Sequence, residues 1–386
     1  MDTRDTERAG TETAFFAAAN TEAGFVSRYP ALFGGGRVDR LYVIKGGPGT
    51  GKSRFMREAA NYAAARGRRA VYLYCSSDPA SLDGVILHAP GKPTVGLLDG
   101  TPPHAWEPSR PGVCEELIDL GAFWDSQALR RASDTIGRLT DGKRAAYGRV
   151  YACLAAAGQA ARVTDSLTEP LTETAALWAK AERLIRGSLK AGRPDGAGAD
   201  TYADLAPGGR LLPPLFRRAF GMSGVSRTNT LDRRASRLLC VGDAYGSGSR
   251  FMEALHRVSA ERGLPLLVTH DPLRPDRIDG LFWPDTGLCV LRDAIAGCAV
   301  KAETAGTAAT EARAVDLRRY LDAEGVRRVR PALREAAALK TAALTAALHA
   351  LADVRAAHFG LETVYAAAMD FPEKERFTET FCQRTF

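Results

Sequence analysis

The chain has 386 residues, 45% of them apolar and 25% charged, a make-up that fits a globular protein long enough for two ordinary domains. Its net charge of +7 comes mainly from arginines interleaved with acids. The tightest basic clusters are Arg327, Arg328 and Arg330, then Arg217-Arg218 and Arg233-Arg234, and none forms a recognisable nucleic-acid motif. The seven cysteines (Cys75, Cys114, Cys153, Cys240, Cys289, Cys298 and Cys382) show no CxxC or Cys/His zinc spacing and read as reduced, buried thiols. The polar start MDTRDTERAG lacks the pattern of a secretory leader, and no apolar run reads as long enough to span a bilayer, so the expectation is a cytoplasmic protein with no membrane span.

In chain order, an apolar strand (Leu41–Ile44) leads through a Gly-rich turn into a helix over about Ser53–Arg66. A strand (Ala70–Cys75), a loop ending in Asp83-Gly84 and a further strand (Val95–Leu98) follow. A helical region spans about 126–190, broken near Thr164–Pro170, and the Gly/Pro/Asp-rich stretch Ala191–Arg210 reads as a linker. The series then recurs: strand Leu238–Val241, Gly-rich turn, helix about Ser249–Arg262, strand Pro265–His270, Asp279-Gly280, strand Leu288–Leu291, and helices from about Pro331 onward. In that last region Leu333, Leu339, Leu344 and Leu348 recur at helical spacing, which predicts helices packing on one another or on the other unit.

The recurrence is visible residue by residue. With the sequence slid by 196 positions, GKSRFM at Gly51–Met56 lies over SGSRFM at Ser247–Met252. Eleven of the 39 positions from Gly46 to Gly84 are then identical, enough to read the chain as an internal duplication. With small gaps, the strand ending at Asp99 falls on the one ending at Asp293, and IDLGAFWD at Ile118–Asp125 on VDLRRYLD at Val315–Asp322. FAAANTEAG from Phe16 matches FRRAFGMSG from Phe216 more weakly. The predicted architecture is α/β: two tandem three-layer α/β/α units with parallel sheets, at 1–205 and 206–386, each with an added helical region.

The first unit carries the chemistry. Gly46-Gly47-Pro48-Gly49-Thr50-Gly51-Lys52-Ser53 matches GxxxxGK[ST], between an apolar strand and a helix as that motif requires. Glycines let backbone amides turn toward phosphate oxygens, and the helix N-terminus adds partial positive charge. Lys52 is the candidate for the β- and γ-phosphates, Ser53 for Mg²⁺, and Arg54 adjoins them. Asp99, at the end of an apolar strand, is the second candidate for Mg²⁺. Gly100 follows it where many ATPases place a catalytic glutamate. Two residues are candidates for the missing catalytic group. Asp78, in the Cys75–Pro79 loop, reads either as a base or as a turn residue. His104, in DGTPPH, reads either as a sensor of the γ-phosphate or as a loop histidine bonded to backbone. Asp83, repeated as Asp279, reads as a turn residue.

In the second unit the corresponding loop is Gly242-Asp243-Ala244-Tyr245-Gly246-Ser247-Gly248-Ser249. Gly248 stands at the lysine position and Asp243 adds negative charge, which predicts a pseudo-site. Arg250 is expected to point along its helix, as Arg54 does.

The motifs NTEAGF (Asn20–Phe25), KGGPGTGKS, CSSDPASLDG (Cys75–Gly84), LLDGTPPH (Leu97–His104), PGVCEELIDLGAFWD (Pro111–Asp125) and AMDF (Ala368–Phe371) together resemble a family of bacterial proteins with tandem P-loop ATPase domains. The resemblance spans nearly the whole chain. It implies a P-loop NTPase fold in both units and ATP binding in the first, and it brings no substrate with it. Three functions follow as expectations: a Mg²⁺-dependent ATPase, a small-molecule kinase using the 75–84 loop for its acceptor, or a nucleotide-dependent regulatory module with little turnover.

Overall fold

The computed structural model describes residues 12–193, 198–293 and 311–386. The polar start MDTRDTERAG and Cys298 considered above lie outside them. The first half contributes β1 (Thr13–Phe16), the hairpin β2 (Ala18–Thr21) and β3 (Gly24–Ser27), then β4 (Arg40–Lys45), β5 (Arg69–Tyr74), β6 (Leu82–Ala89), β7 (Lys92–Asp99) and β8 (Glu115–Asp119). The second half repeats the set as β9 (Leu215–Phe216), the hairpin β10 (Arg218–Gly221) and β11 (Gly224–Arg227), then β12 (Arg237–Gly242), β13 (Leu267–His270), β14 (Ile278–Trp283), β15 (Leu288–Asp293) and β16 (Glu311–Val315).

Twelve of these strands form one sheet in the order β16-β12-β15-β14-β13-β9-β1-β5-β6-β7-β4-β8. Read outward from its centre, each half has the same order, so the duplication seen in sequence reappears as a near two-fold arrangement about the antiparallel β9–β1 junction. The sheet is mixed and mostly parallel. This corrects the expectation of parallel sheets, because β6 and β14 run antiparallel to both neighbours. The stretch before β7 is thus a full strand joined to it by a tight turn at Gly91, and the parallel order is interrupted there. Asp83 and Asp279 lie within these strands, next to matching register irregularities, and not in turns as expected.

Alternation along the strands sets the two faces. Leu41 and Val43 enter one core, with Phe15, Leu73 and Leu98. Tyr42 and Ile44 enter another, with Leu97, Phe55 and Met56 from the helix α2. The helices, in chain order, are α1 (Tyr29–Phe33), α2 (Lys52–Ala64), α3 (Ser126–Arg131), α4 (Ser133–Thr168), α5 (Thr174–Ala191), α6 (Gly198–Leu205), α7 (Thr230–Arg234), α8 (Ser247–Glu261), α9 (Ala323–Ala367) and α10 (Phe371–Thr385). The stretch read as a linker includes α6, whose Asp204 pairs with Arg69 at 2.8 Å and Arg234 at 2.7 Å.

The two long helices α4 and α9 pack antiparallel. Val150, Leu154 and Ala157 meet Ala347, Leu351 and Val354, while Lys143 and Arg149 reach His358 and Asp353. By length and composition α9 could cross a bilayer, contrary to the sequence reading, but it is weak evidence for a span because it packs along α4.

Each long helix ends in a short arm that packs on the opposite half. From the first half, α5 lays Leu177, Ala181 and Ile185 against Phe251 and Leu255 of α8. From the second, α10 brings Phe381 into the core with Phe55 and Tyr42, its ring centroid 5.0 Å and 4.9 Å from theirs. Matching β-bridges hold the crossings, Trp124↔Met369 and Thr172↔Leu321. The halves have therefore exchanged helical arms within one chain.

Candidate functional site

The loop Gly46–Ser53 joins β4 to α2 and borders a cleft of about 620 Å³. Gly46, Gly49 and Gly51 have φ of +151°, +75° and +79°, conformations that favour glycine. Gly49 is also held by close approach, since a Cβ there would come within 2.5 Å of the Glu362 carbonyl oxygen on α9. Lys52 opens α2 and folds back over the loop, its Nζ donating to the carbonyls of Gly46 and Gly47 at 2.8 Å each. The same ammonium lies 3.6 Å from Asp99 Oδ2.

Asp99 ends β7, with Ile44 of β4 as its register partner. Its Oδ1 accepts from the Thr101 amide at 2.9 Å and hydroxyl at 2.6 Å. Burial raises its carboxyl above the ordinary aspartate value; Lys52 opposes that shift and Asp83 adds to it. Ser53 Oγ accepts from the Leu82 amide at 2.9 Å, which keeps its own proton and one lone pair available. Arg54 leaves the loop, reaching Glu58 at 2.7 Å and Glu375 of α10 at 3.0 Å. Lys52, Ser53, Asp78, Asp99 and His104 all line the cleft.

Asp78 is engaged in a turn. Its Oδ2 accepts from Ser81 Oγ at 2.8 Å and its backbone carbonyl from the Ser81 amide at 2.9 Å. His104 is 8% exposed, packed between the rings of Phe25 and Tyr29, with Nε2 3.1 Å from Asp83 Oδ2. Among the described residues its other ring nitrogen has no hydrogen-bond partner. Burial works to lower the His104 value, but the Asp83 carboxylate outweighs it, leaving the imidazole above its ordinary 6.5.

A group with a raised folded-state value stabilises the fold fully below its unfolded value and loses that contribution as pH rises through the folded one. The difference in melting temperature between the wild type and His104→Gln is therefore expected to be widest below pH 6.5 and to shrink toward alkaline pH. A difference that stays constant over a melting series from about pH 5 to 9 would contradict the pairing.

The second half has the same framework with the charges exchanged. Strand register places Gly84 opposite Leu98 and Gly280 opposite Leu291, so the counterpart of Asp99 is Arg292 and not Asp293 as sequence alignment suggested. The alignment had slipped by one residue to match two aspartates. Arg292 Nη1 meets Asp243 Oδ2 at 2.6 Å and its Nη2 meets Asp271 Oδ2 at 2.7 Å. Asp243 Oδ1 accepts the Ser249 amide at 3.0 Å, so a carboxylate of the protein caps the start of α8. Asp165, from α4, also reaches this loop, pairing with Arg274 at 2.6 Å and Arg277 at 3.1 Å. The cavity remaining there is about 80 Å³. Arg250 does not run along its helix as expected; it donates to Thr172 Oγ1 at 3.0 Å and the Asp165 carbonyl at 3.0 Å.

No family model, curated protein or solved structure matches the chain.

Sequence reasoning missed the residues that the two long helices bring to the cleft, chiefly Lys143 and Tyr147 of α4 and His358 and Glu362 of α9. Their signal was the helical spacing already noted, but nothing local indicates which turn of a 36- or 45-residue helix meets a loop far away in sequence.

Proposed function

We propose that the protein binds a nucleoside triphosphate, with ATP the first candidate, at Gly46–Ser53, and that it is a Mg²⁺-dependent ATPase of the P-loop kind with one working site per chain. The observation that carries this reading is the loop itself: glycines in left-handed conformations, leading into a helix N-terminus, with Lys52 beside Asp99. The donor set suits the metal as well. Mg²⁺ takes one or two protein oxygens and completes its shell with phosphate and water, and the Ser53 hydroxyl and Asp99 carboxylate border the same cleft. When bound, the ion would neutralise charge on the phosphate oxygens. Lys52 would bind and orient the terminal phosphates, and the loop amides would fix their position.

On the same reading each half is a P-loop-like unit, of which the second has become structural: its own carboxylates occupy the helix start where a phosphate would sit. Asp78 is less suited to the role of base because Ser81 already holds its carboxylate, so hydrolysis is preferred over phosphoryl transfer to an acceptor. The exchanged helices lying over the cleft would convert nucleotide state into movement of the α4–α9 pair.

Titration with a fluorescent ATP analogue, with and without Mg²⁺, tests the reading together with phosphate release. Mg²⁺ is expected to strengthen binding in the wild type, and Asp99→Asn should remove most of that gain, roughly tenfold in affinity. A wild type that binds no triphosphate under either condition defeats the assignment.

A further inference from the structure

The cleft contains a cation outside the loop motif. Lys143, on α4, borders the same space as Lys52. Among the described residues it makes no ion pair, and its hydrogen-bond partner is His358 Nδ1, at 3.2 Å. An ammonium only donates, so Nδ1 is the acceptor and the His358 proton sits on Nε2, which faces Glu362 Oε1 at 3.4 Å. Lys143, His358 and Glu362 thus form a chain that fixes where the ammonium lies. Burial lowers the Lys143 value below that of an ordinary lysine, outweighing Cys75 and Glu362, which raise it, while the positive charge of Lys52 lowers it further. Lys52 and Lys143 face one cleft whose lining also holds Asp78, Asp83, Asp99 and Glu362; Asp99 lies 3.6 Å from Lys52, and the two ammonium groups are the donors placed to meet a polyanion there.

The other half supplies an internal comparison. Asp165 precedes Thr172 by the same seven residues as Glu362 precedes Met369, and Thr172 and Met369 are the matching bridge residues. The two acids therefore hold equivalent places on the long helices α4 and α9. Asp165 enters the second loop: a Cβ on Gly246 would lie 2.7 Å from its Oδ1. In the first half the acid is drawn toward His358, and the space over the loop stays open.

Resting on the nucleotide reading given above, we propose that Lys143 contacts the terminal phosphate of the bound triphosphate as a further catalytic residue, with His358 positioning it. The site's second cation then comes from within the chain, on the helical pair. As water adds to the γ-phosphorus and the bond to the β–γ bridging oxygen breaks, ADP leaves with the electron pair, and the water's proton passes to solvent as inorganic phosphate forms. The ammonium offsets the negative charge on the departing and transferred oxygens.

The test compares affinities for ADP and a non-hydrolysable ATP analogue, with phosphate release measured in parallel. Lys143→Met is expected to leave ADP affinity within about twofold, to weaken the ATP analogue roughly tenfold or more, and to slow release by at least as much. Lys143→Arg should keep most of the preference for ATP, and His358→Ala, which frees the ammonium, should fall between them. Melting temperatures establish that each variant is folded; should Lys143→Met not fold, Lys143→Arg and His358→Ala decide. Equal changes for both nucleotides, or none, overturn the role of Lys143 while leaving the site intact. A Lys52→Ala control that binds ATP as tightly as the wild type overturns the site itself.

Discussion

Lys52→Ala should weaken ATP binding roughly ten- to hundredfold, because it removes a charge-assisted contact to phosphate oxygens. In the nucleotide-free protein the same change has a smaller cost. The ammonium contacts two loop carbonyls and lies 3.6 Å from Asp99, and both side chains of that pair are only 12% exposed. Its removal leaves the Asp99 carboxyl buried without its cation, a loss of about 1–3 kcal/mol. Calorimetric titration and thermal melting on the same preparation separate these outcomes. Lost binding by a variant that still melts cooperatively places the role in the nucleotide complex. Unchanged binding refutes the assignment of the loop.

Phe381→Ala should destabilise the protein by about 3–5 kcal/mol, the usual cost of removing a buried aromatic ring. Phe381 is 2% exposed and lies against Phe55 and Tyr42, on the helix and strand that flank the Gly46–Ser53 loop. The loss is therefore expected to loosen α2 and β4, far away in sequence. Chemical denaturation followed by tryptophan fluorescence gives the magnitude, and amide exchange gives the location. Fast exchange confined to α10, with β4 still protected, would mean that the arm is an accessory to the first half and not part of its core.

The sequence carried the loop, its flanking strand and helix, the duplication and the break between α4 and α5, because each depends on local pattern. Glycine spacing reports backbone conformation directly, and Lys52 and Ser53 are tied to it by adjacency. Three features were not legible. The strand β6 was read as a loop because Ser81, Asp83 and Gly84 resemble turn residues, although the strand is set by pairing on both sides. The counterpart of Asp99 was misassigned because register depends on neighbouring strands and not on matching letters. The arm exchange was hidden because amphipathic helices show that they are buried without showing against what. For the same reason the contribution of Lys143 and His358 to the cleft could not be anticipated.

The exchanged arms also impose an order on synthesis. Phe55 leaves the ribosome long before Phe381, 326 residues later, and among the described residues no other ring packs against both it and Tyr42. At ordinary translation rates the interval is roughly 15–65 s. During that time the face of β4 and α2 that carries the loop has no cover from α10. The half made first is thus the half completed last, and during this period the nascent chain carries apolar surface that only its final helix covers.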